Sequence, residues 1–148
     1  MTRTAPDPYE VYQQIKTLVG TIPQLGQRIH VGHVPDTLPT INGYTLTYCV
    51  IWPGAGTPVR DRPASGQINT DGQHFPFITS LAATDPTHVL RAINELKRVL
   101  TGARIGDGQI EPDQYQQESA TLILDRDFSP ARHYLPLAWG LQVTRLTP

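Results

Sequence analysis

Acidic residues near the end of the chain have types and spacing that could support hydrolytic chemistry. Asp125 and Asp127 share one face if the strand before them continues, and Glu118 lies a few residues earlier. Carboxylates on one face can activate a water or bind Mg²⁺. Three arginines lie near them in the sequence: Arg126, Arg132 and Arg145. A salt-bridged turn therefore explains the segment more simply, and a Mg²⁺-dependent hydrolase using Asp125 and Asp127 is kept as an alternative.

Two other patterns suggest a metal site and a phosphate-binding loop. His30 and His33 are three residues apart, and such positions on a strand point to opposite faces, so we expect the two rings to diverge. The run 102–108 is rich in glycine, but it follows a predicted helix and lacks the Lys-Ser/Thr ending of a phosphate-binding loop. No serine lies in a Gly-x-Ser-x-Gly context. The residues therefore predict no catalytic, metal or cofactor site, and no enzymatic activity.

Charged side chains in two proline- and glycine-rich stretches are the candidates for contact with a partner. Chosen for expected exposure and reach, they are Arg60, Asp61, Arg62 and His74 in residues 53–74, and Asp107 and Glu111 in residues 101–118. The basic members of the first stretch can meet phosphate or an acidic surface, or form an ordinary solvated loop tip. On a chain of net charge -1 they would bind nucleic acid only weakly.

Two amphipathic helices that begin alike are the clearest elements. Asp7-Pro8 precedes a helix over 9–19, and Asp85-Pro86 precedes a helix over 87–100. In each pair Asp can cap free amides, while Pro occupies the first helical position, where no donor is lost. The apolar residues expected on the stripes are Val11, Tyr12, Ile15, Leu18 and Val19 in the first helix, and Val89, Leu90, Ile93, Leu96 and Leu100 in the second. Both helices are predicted to pack on a sheet.

Five strands are predicted, over 28–34, 43–52, 75–83, 121–125 and 134–145. The second has apolar residues on both faces, which indicates a central strand covered on each side. Pro76, near the start of the third, predicts an edge or first position. Trp52 and Trp139 are expected to anchor the core or an interface. The pattern predicts an α+β fold: about five strands, mostly antiparallel, with two helices packed on the sheet and residues 53–74 and 101–118 irregular.

The overall composition narrows the class further. A chain of 148 residues predicts one domain spanning 1–148. Cys49 lies in an apolar run, so we expect it to be a small buried hydrophobic residue. The first residues lack the apolar region of a signal peptide, and no apolar run is long enough to span a membrane. A soluble protein made in the cytoplasm is expected, with no membrane partner.

The succession of elements carries a resemblance to a known family. Its landmarks are a helix starting near Pro8-Tyr-Glu-Val-Tyr12, a tyrosine-rich strand ending in Val50-Ile-Trp-Pro53, a Gly/Pro/Arg stretch, the strand and helix of 77–100, and the signature Asp125-x-Asp-x-x-x-x-x-Arg132-x-Tyr-Leu-Pro-Leu-x-Trp139. From about residue 7 to 146 the chain resembles the tail terminator proteins of long-tailed, non-contractile phages, particularly those infecting actinobacteria.

The resemblance implies a structural virion protein with no cofactor. Six copies would form a ring that caps the tail tube, ends tube polymerisation and meets the head-side connector protein. Genome DNA would pass through the ring without sequence-specific contact, and assembly would take place in the host cytoplasm. A head–tail connector or tail-completion protein of the neck is the nearest alternative, because such proteins share its size and α/β character.

Overall fold

In the computed structural model, residues 6–58 and 72–146 are described, and they form the α+β fold that the sequence predicts. The helices are α1 (Pro8–Val19), α2 (Pro86–Leu100) and the short α3 (Gln114–Gln117), with a 3₁₀ turn at Pro23–Leu25. The strands are β1 (Ile29–Val31), β2 (Thr40–Ile41), β3 (Tyr44–Thr45), β4 (Tyr48–Pro53), β5 (Thr57–Pro58), β6 (Gln73–Ala83), β7 (Arg104–Ile105), β8 (Gly108–Pro112), β9 (Ile123–Asp125) and β10 (Arg132–Val143).

The two long helices begin where the Asp-Pro pairs predict. Asp7 and Asp85 each accept a hydrogen bond from the main-chain N–H two residues later, at 3.0 and 2.8 Å. The apolar stripes are buried or, at Leu18 and Ile93, partly buried, except that Leu90 is 56% exposed. Leu90 follows the buried Val89 and is rotated about 100° from it around the axis, so its predicted place on the stripe is wrong. Within the described residues no helix is long and apolar enough to cross a membrane.

One curled mixed sheet dominates the fold, and it is larger than the predicted five strands. Its strands lie in the order β1-β4-β6-β10-β8-β7, with β5 added beside β6 and β9 beside β10. The β1–β4 pairing is parallel, and the other pairings are antiparallel. The long strands β6 and β10 pair along eleven positions and form the centre of the sheet. The prediction of about five strands was therefore wrong in number, and the sheet is mixed.

The extra strands come from short hairpins in segments predicted otherwise. Residues 101–118 were predicted to be irregular, yet they contain β7, β8 and α3. The predicted strand over 43–52 is split, because β3 belongs to a separate hairpin with β2. Asn42 and Gly43 close that hairpin with φ of 54° and 80°, the left-handed geometry that a two-residue turn requires. The other stretch predicted to be irregular, residues 53–74, contains β5 and the start of β6, and its residues 59–71 lie outside the described part of the chain.

The main core lies between the sheet and the pair α1 and α2, and a smaller buried cluster of Tyr48, Val50 and Ala82 lies on the other face. Trp139 of β10 is buried there, and its ring stacks on Phe77 of β6 with centroids 6.5 Å apart. The Trp139 Nε1–H donates to Thr79 Oγ1 at 2.9 Å, which satisfies a polar group inside the core. Cys49 is fully buried on this side, as predicted, and burial raises the pKa of its thiol to about 12.

Pro76 lies inside the central strand β6, so its predicted edge position was wrong. The Pro76 carbonyl faces Tyr12 and Gly54, where the chain interrupts the pairing between β4 and β5. The nitrogen and carbonyl of one strand residue point to the same side, so the missing N–H also faces this interruption. A proline is tolerated there because no partner strand needs its donor.

Candidate functional site

The sheet face opposite α1 and α2 carries exposed or partly exposed apolar side chains on its three central strands. Trp52, Ile78 and Ala138 lie in one row across β4, β6 and β10, as shown by the pairing register. Trp52 is 39% exposed and Ile78 is 38% exposed. Together with Pro76 they line a shallow pocket of about 340 Å³. We call Trp52, Pro76, Ile78 and Ala138 the open face.

Arg132 organises one end of this side of the sheet. It is the cross-strand partner of Asp125, and its Nη2 lies 3.4 Å from Asp125 Oδ2. Its Nη1 donates to the Tyr48 hydroxyl. The guanidinium carbon lies 3.6 Å from the centroid of the Phe128 ring, in the geometry of a cation–π contact. The predicted salt-bridged turn is confirmed for the pair Asp125 and Arg132.

The Arg132 cluster is half-buried and carries one unsatisfied donor. Arg132 Nε is buried without a hydrogen-bond partner among the described residues. Burial lowers the pKa of the Arg132 guanidinium, because desolvation disfavours its charge, and Tyr134 acts in the opposite direction. A pocket of about 230 Å³ lies beside the cluster and is lined on its other side by Val50, Trp52 and Ser80. This pocket adjoins the open face through Trp52.

The structure does not bring the three acidic candidates together as a metal site. Asp125 accepts from the Asp127 main-chain N–H through Oδ1 and pairs with Arg132 through Oδ2. Asp127 and Glu118 are exposed. Within residues 6–58 and 72–146, no three His, Cys, Asp or Glu side chains are grouped closely enough to hold a metal ion. Asp125 therefore has a structural partner on each carboxylate oxygen.

The prediction that His30 and His33 diverge was wrong. Their ring centroids lie 5.8 Å apart in an edge-to-face arrangement. The strand ends at Val31, and Gly32 turns the chain with a φ of 78°, so the alternation of faces does not extend to His33. The pKa of His30 is lowered, first by burial and then by repulsion from His33 and Lys16.

Of the residues predicted to contact partners, three lie in the described part of the chain and all three are exposed. His74 and Glu111 line one pocket of about 330 Å³ on either side of β10, beside Gly140. Asp107 lies apart from them, in the turn between β7 and β8. Arg60, Asp61 and Arg62 fall outside the described residues.

Asp107 also has a structural role that sequence reasoning missed. Its Oδ1 accepts from the main-chain N–H groups of Thr144 and Arg145, at 2.9 and 3.0 Å. Partial burial raises the pKa of this carboxyl, but these hydrogen bonds and the Arg145 charge outweigh burial and lower it. The side chain thus ties the turn after β7 to the end of β10.

Tyr12 is a second residue whose role the sequence did not reveal. Its hydroxyl donates to the Gly54 carbonyl at 2.8 Å and accepts from the Gly54 N–H at 2.9 Å. Its ring lies edge-on to Phe75 and Phe77, with centroids 6.1 and 6.0 Å away. Tyr12 therefore joins α1 to the interruption beside the open face. The helical pattern predicts its burial but not this long-range partner.

Comparison of the chain with protein-family models finds no family that matches, and comparison with curated proteins finds no matching relative.

Proposed function

We propose that the protein is a structural subunit of a bacteriophage tail, a terminator that forms a ring of six copies at the end of the tail tube. In this role the ring stops further addition of tube protein and presents its other side to the head-side connector. Genome DNA passes through its channel without sequence-specific contact. The finished protein is part of the virion.

The observation that carries this proposal is the uneven covering of the sheet. The helices α1 and α2 bury one face, while the open face leaves Trp52 and Ile78 each more than one-third exposed at the centre of the sheet. Exposed apolar side chains in one row favour contact with another protein surface. Head-to-tail packing of identical copies closes into a ring when the rotation between them divides a full turn.

The C-terminal signature also supports a structural role. Asp125 and Arg132 join β9 to β10, and Trp139, also on β10, is buried in the core. These residues hold β9, β10 and the core together. A signature with these roles fits a protein whose function is assembly, and together with the succession of elements it carries the resemblance to tail terminators.

A matched pair of variants tests whether the open face makes the contacts. Ile78→Asp places a charge on the open face, and Leu90→Asp places the same charge on the outer side of α2, where Leu90 is even more exposed. We expect both variants to fold, with unchanged far-ultraviolet circular dichroism. Ile78→Asp should abolish ring formation in light scattering, and Leu90→Asp should leave it intact. Equal behaviour of the two variants would contradict the assignment of this face.

Deletion of the gene from its phage distinguishes a terminator from the other neck proteins. Loss of a terminator gives overlong tails, because tube growth no longer stops. Loss of a connector or tail-completion protein gives tails of normal length that fail to join filled heads. Electron microscopy of the particles separates these outcomes, and normal virions would refute both functions.

A further inference from the structure

A pocket between the start of β1 and the first two turns of α2 concentrates basic side chains. It has a volume of about 280 Å³ and shares no lining residue with the pocket at the open face. Its lining consists of Gln24, Arg28, Leu46, Thr47, His88 and Arg91. Three of these six residues carry basic groups, and none carries a carboxylate. Such a lining predicts a site for an anion.

The Arg28 guanidinium is held rigidly at this pocket. Its Nε donates to the Thr47 carbonyl at 2.8 Å, and its Nη2 donates to the Gln24 carbonyl at 2.9 Å. Both acceptors are neutral, so they orient the guanidinium without cancelling its charge. A guanidinium has five N–H donors, and these two bonds leave the others available to a ligand. Burial lowers the pKa of Arg28, because the charge is partly desolvated, and a bound anion would offset that cost.

The two arginines of the pocket have no ion-pair partner within the described part of the chain, whereas His88 has one. The ion pairs found there join His88 to Asp85, Arg98 to Glu95 and Arg132 to Asp125, and none involves Arg28 or Arg91. The Asp85 carboxylate, 3.8 Å from His88 Nε2, also caps α2 through its other oxygen. The two arginines thus line one pocket with no carboxylate paired to them among residues 6–58 and 72–146.

We propose that this pocket binds a single phosphate group. Guanidinium groups match phosphate oxygens with paired, charge-assisted hydrogen bonds, and two of them beside a histidine suit a doubly charged group with several oxygens. One pocket on a chain of net charge -1 fits one phosphate and not a long nucleic-acid tract. The phosphate comes either from a small phosphate ester or from a nucleic-acid backbone. This site does not depend on ring formation.

Titration with inorganic phosphate tests the site directly on the full chain. We expect saturable shifts of the Arg28 and Arg91 side-chain N–H signals in nuclear magnetic resonance spectra. Arg91 makes no hydrogen bond or ion pair with another described residue, so Arg91→Gln should fold normally, which thermal unfolding checks. It should weaken phosphate binding about tenfold, as expected for loss of a charge-assisted hydrogen bond.

Arg98→Gln is the matched control, because it removes the same charge from an exposed position on the same helix. It should change phosphate affinity less than about twofold, as expected for a distant, screened charge. Arg28→Lys keeps the positive charge but removes the planar guanidinium with its paired N–H donors, so the affinity of this variant for phosphate should also fall. Equal affinities in Arg91→Gln, Arg98→Gln and the unchanged protein would overturn the site, as would the absence of saturable binding at millimolar phosphate. Tighter binding of acetate than of phosphate would overturn the ligand class.

A short DNA duplex used as a second probe identifies the source of the phosphate. If duplex binding falls in Arg91→Gln by the same factor as phosphate binding, the ligand is a nucleic-acid backbone. If inorganic phosphate binds and the duplex does not, the ligand is a small phosphate ester. Either result supports the pocket as a phosphate site, and duplex binding that is unaffected by Arg91→Gln would exclude the backbone as its ligand.

Discussion

Replacing Tyr12 by Phe tests how α1 is attached to the sheet. The change removes one hydroxyl and keeps the ring, so the edge-on contacts with Phe75 and Phe77 are preserved. It removes both hydrogen bonds to Gly54 and leaves the Gly54 N–H and carbonyl without this partner. The free energy of unfolding should therefore decrease without loss of the native fold.

The expected size of this decrease follows from the two hydrogen bonds. A typical hydrogen bond contributes about 0.5–1.5 kcal/mol net, so two contribute about 1–3 kcal/mol. Gly54 is only half-buried, and water can replace part of the lost bonding. We therefore expect Tyr12→Phe to cost about 1–2 kcal/mol, the lower part of that range. Tyr9→Phe is the control, because Tyr9 is 70% exposed and should cost less than about 0.5 kcal/mol.

Urea unfolding followed by circular dichroism measures the free energy of unfolding of both variants. The dependence of this free energy on urea concentration should stay unchanged. Burial raises the pKa of Tyr12 to about 12 from 10.0, although the Gly54 hydrogen bond partly opposes the shift. The folded state then holds this proton more tightly than the unfolded state, so its contribution to stability is complete below pH 10 and is lost as pH rises towards about 12. The raised pKa of the Cys49 thiol also makes the stability fall with rising pH. The contribution of Tyr12 to this pH dependence is therefore taken from the difference between wild type and Tyr12→Phe. If Tyr12→Phe is as stable as Tyr9→Phe, and its stability falls at alkaline pH as steeply as that of wild type, the proposed role of the Tyr12 hydroxyl is refuted.

Further predictions concern Thr79, Cys49 and the glycines of two turns. Thr79→Val should lower the free energy of unfolding in urea by about 1–3 kcal/mol, because it leaves the buried Trp139 N–H without an acceptor. Thr79→Ser keeps the hydroxyl and should cost only about 1 kcal/mol. Equal costs for the two variants would contradict the role of the hydroxyl. Cys49 should not react with a thiol reagent in the folded protein at mildly alkaline pH, and should react fully in urea, because burial raises its pKa to about 12. Gly106→Ala should cost more than about 2 kcal/mol, because a Cβ there would lie 2.1 Å from a main-chain oxygen beyond β10 at a φ of 58°. Gly102→Ala has a similar φ but open space, so it should cost about 1 kcal/mol, and a reversed order would be inconsistent with the packing of this turn.

The helices could be predicted from the sequence because their signals are local. An Asp-Pro start and an apolar stripe define each long helix within a few turns, and both appear where expected. The short strands are different, because strands of two residues carry too little pattern to detect. Asn42-Gly43 did hold a local hairpin signal, which predicts β2 and its pairing with β3.

The sites were less predictable, because their residues meet through the sheet register. The salt bridge of Asp125 and Arg132 could be predicted from proximity in sequence, whereas Tyr48, which also contacts Arg132, is 84 residues away. The open face could not be separated from the core by composition, since Trp52 and Trp139 both lie among apolar neighbours. Only the side of the strand on which each residue falls separates them, and this depends on which face the helices cover.

The mass and shape of the protein when it is mixed with tail tubes of the phage proposed to encode it test the proposed ring most directly. Mass measurement combined with electron microscopy should find six copies around an open channel, seated at the tube end, and tubes that no longer lengthen when tube protein is added. A protein that stays monomeric at every concentration and leaves tube growth unchanged would contradict the account.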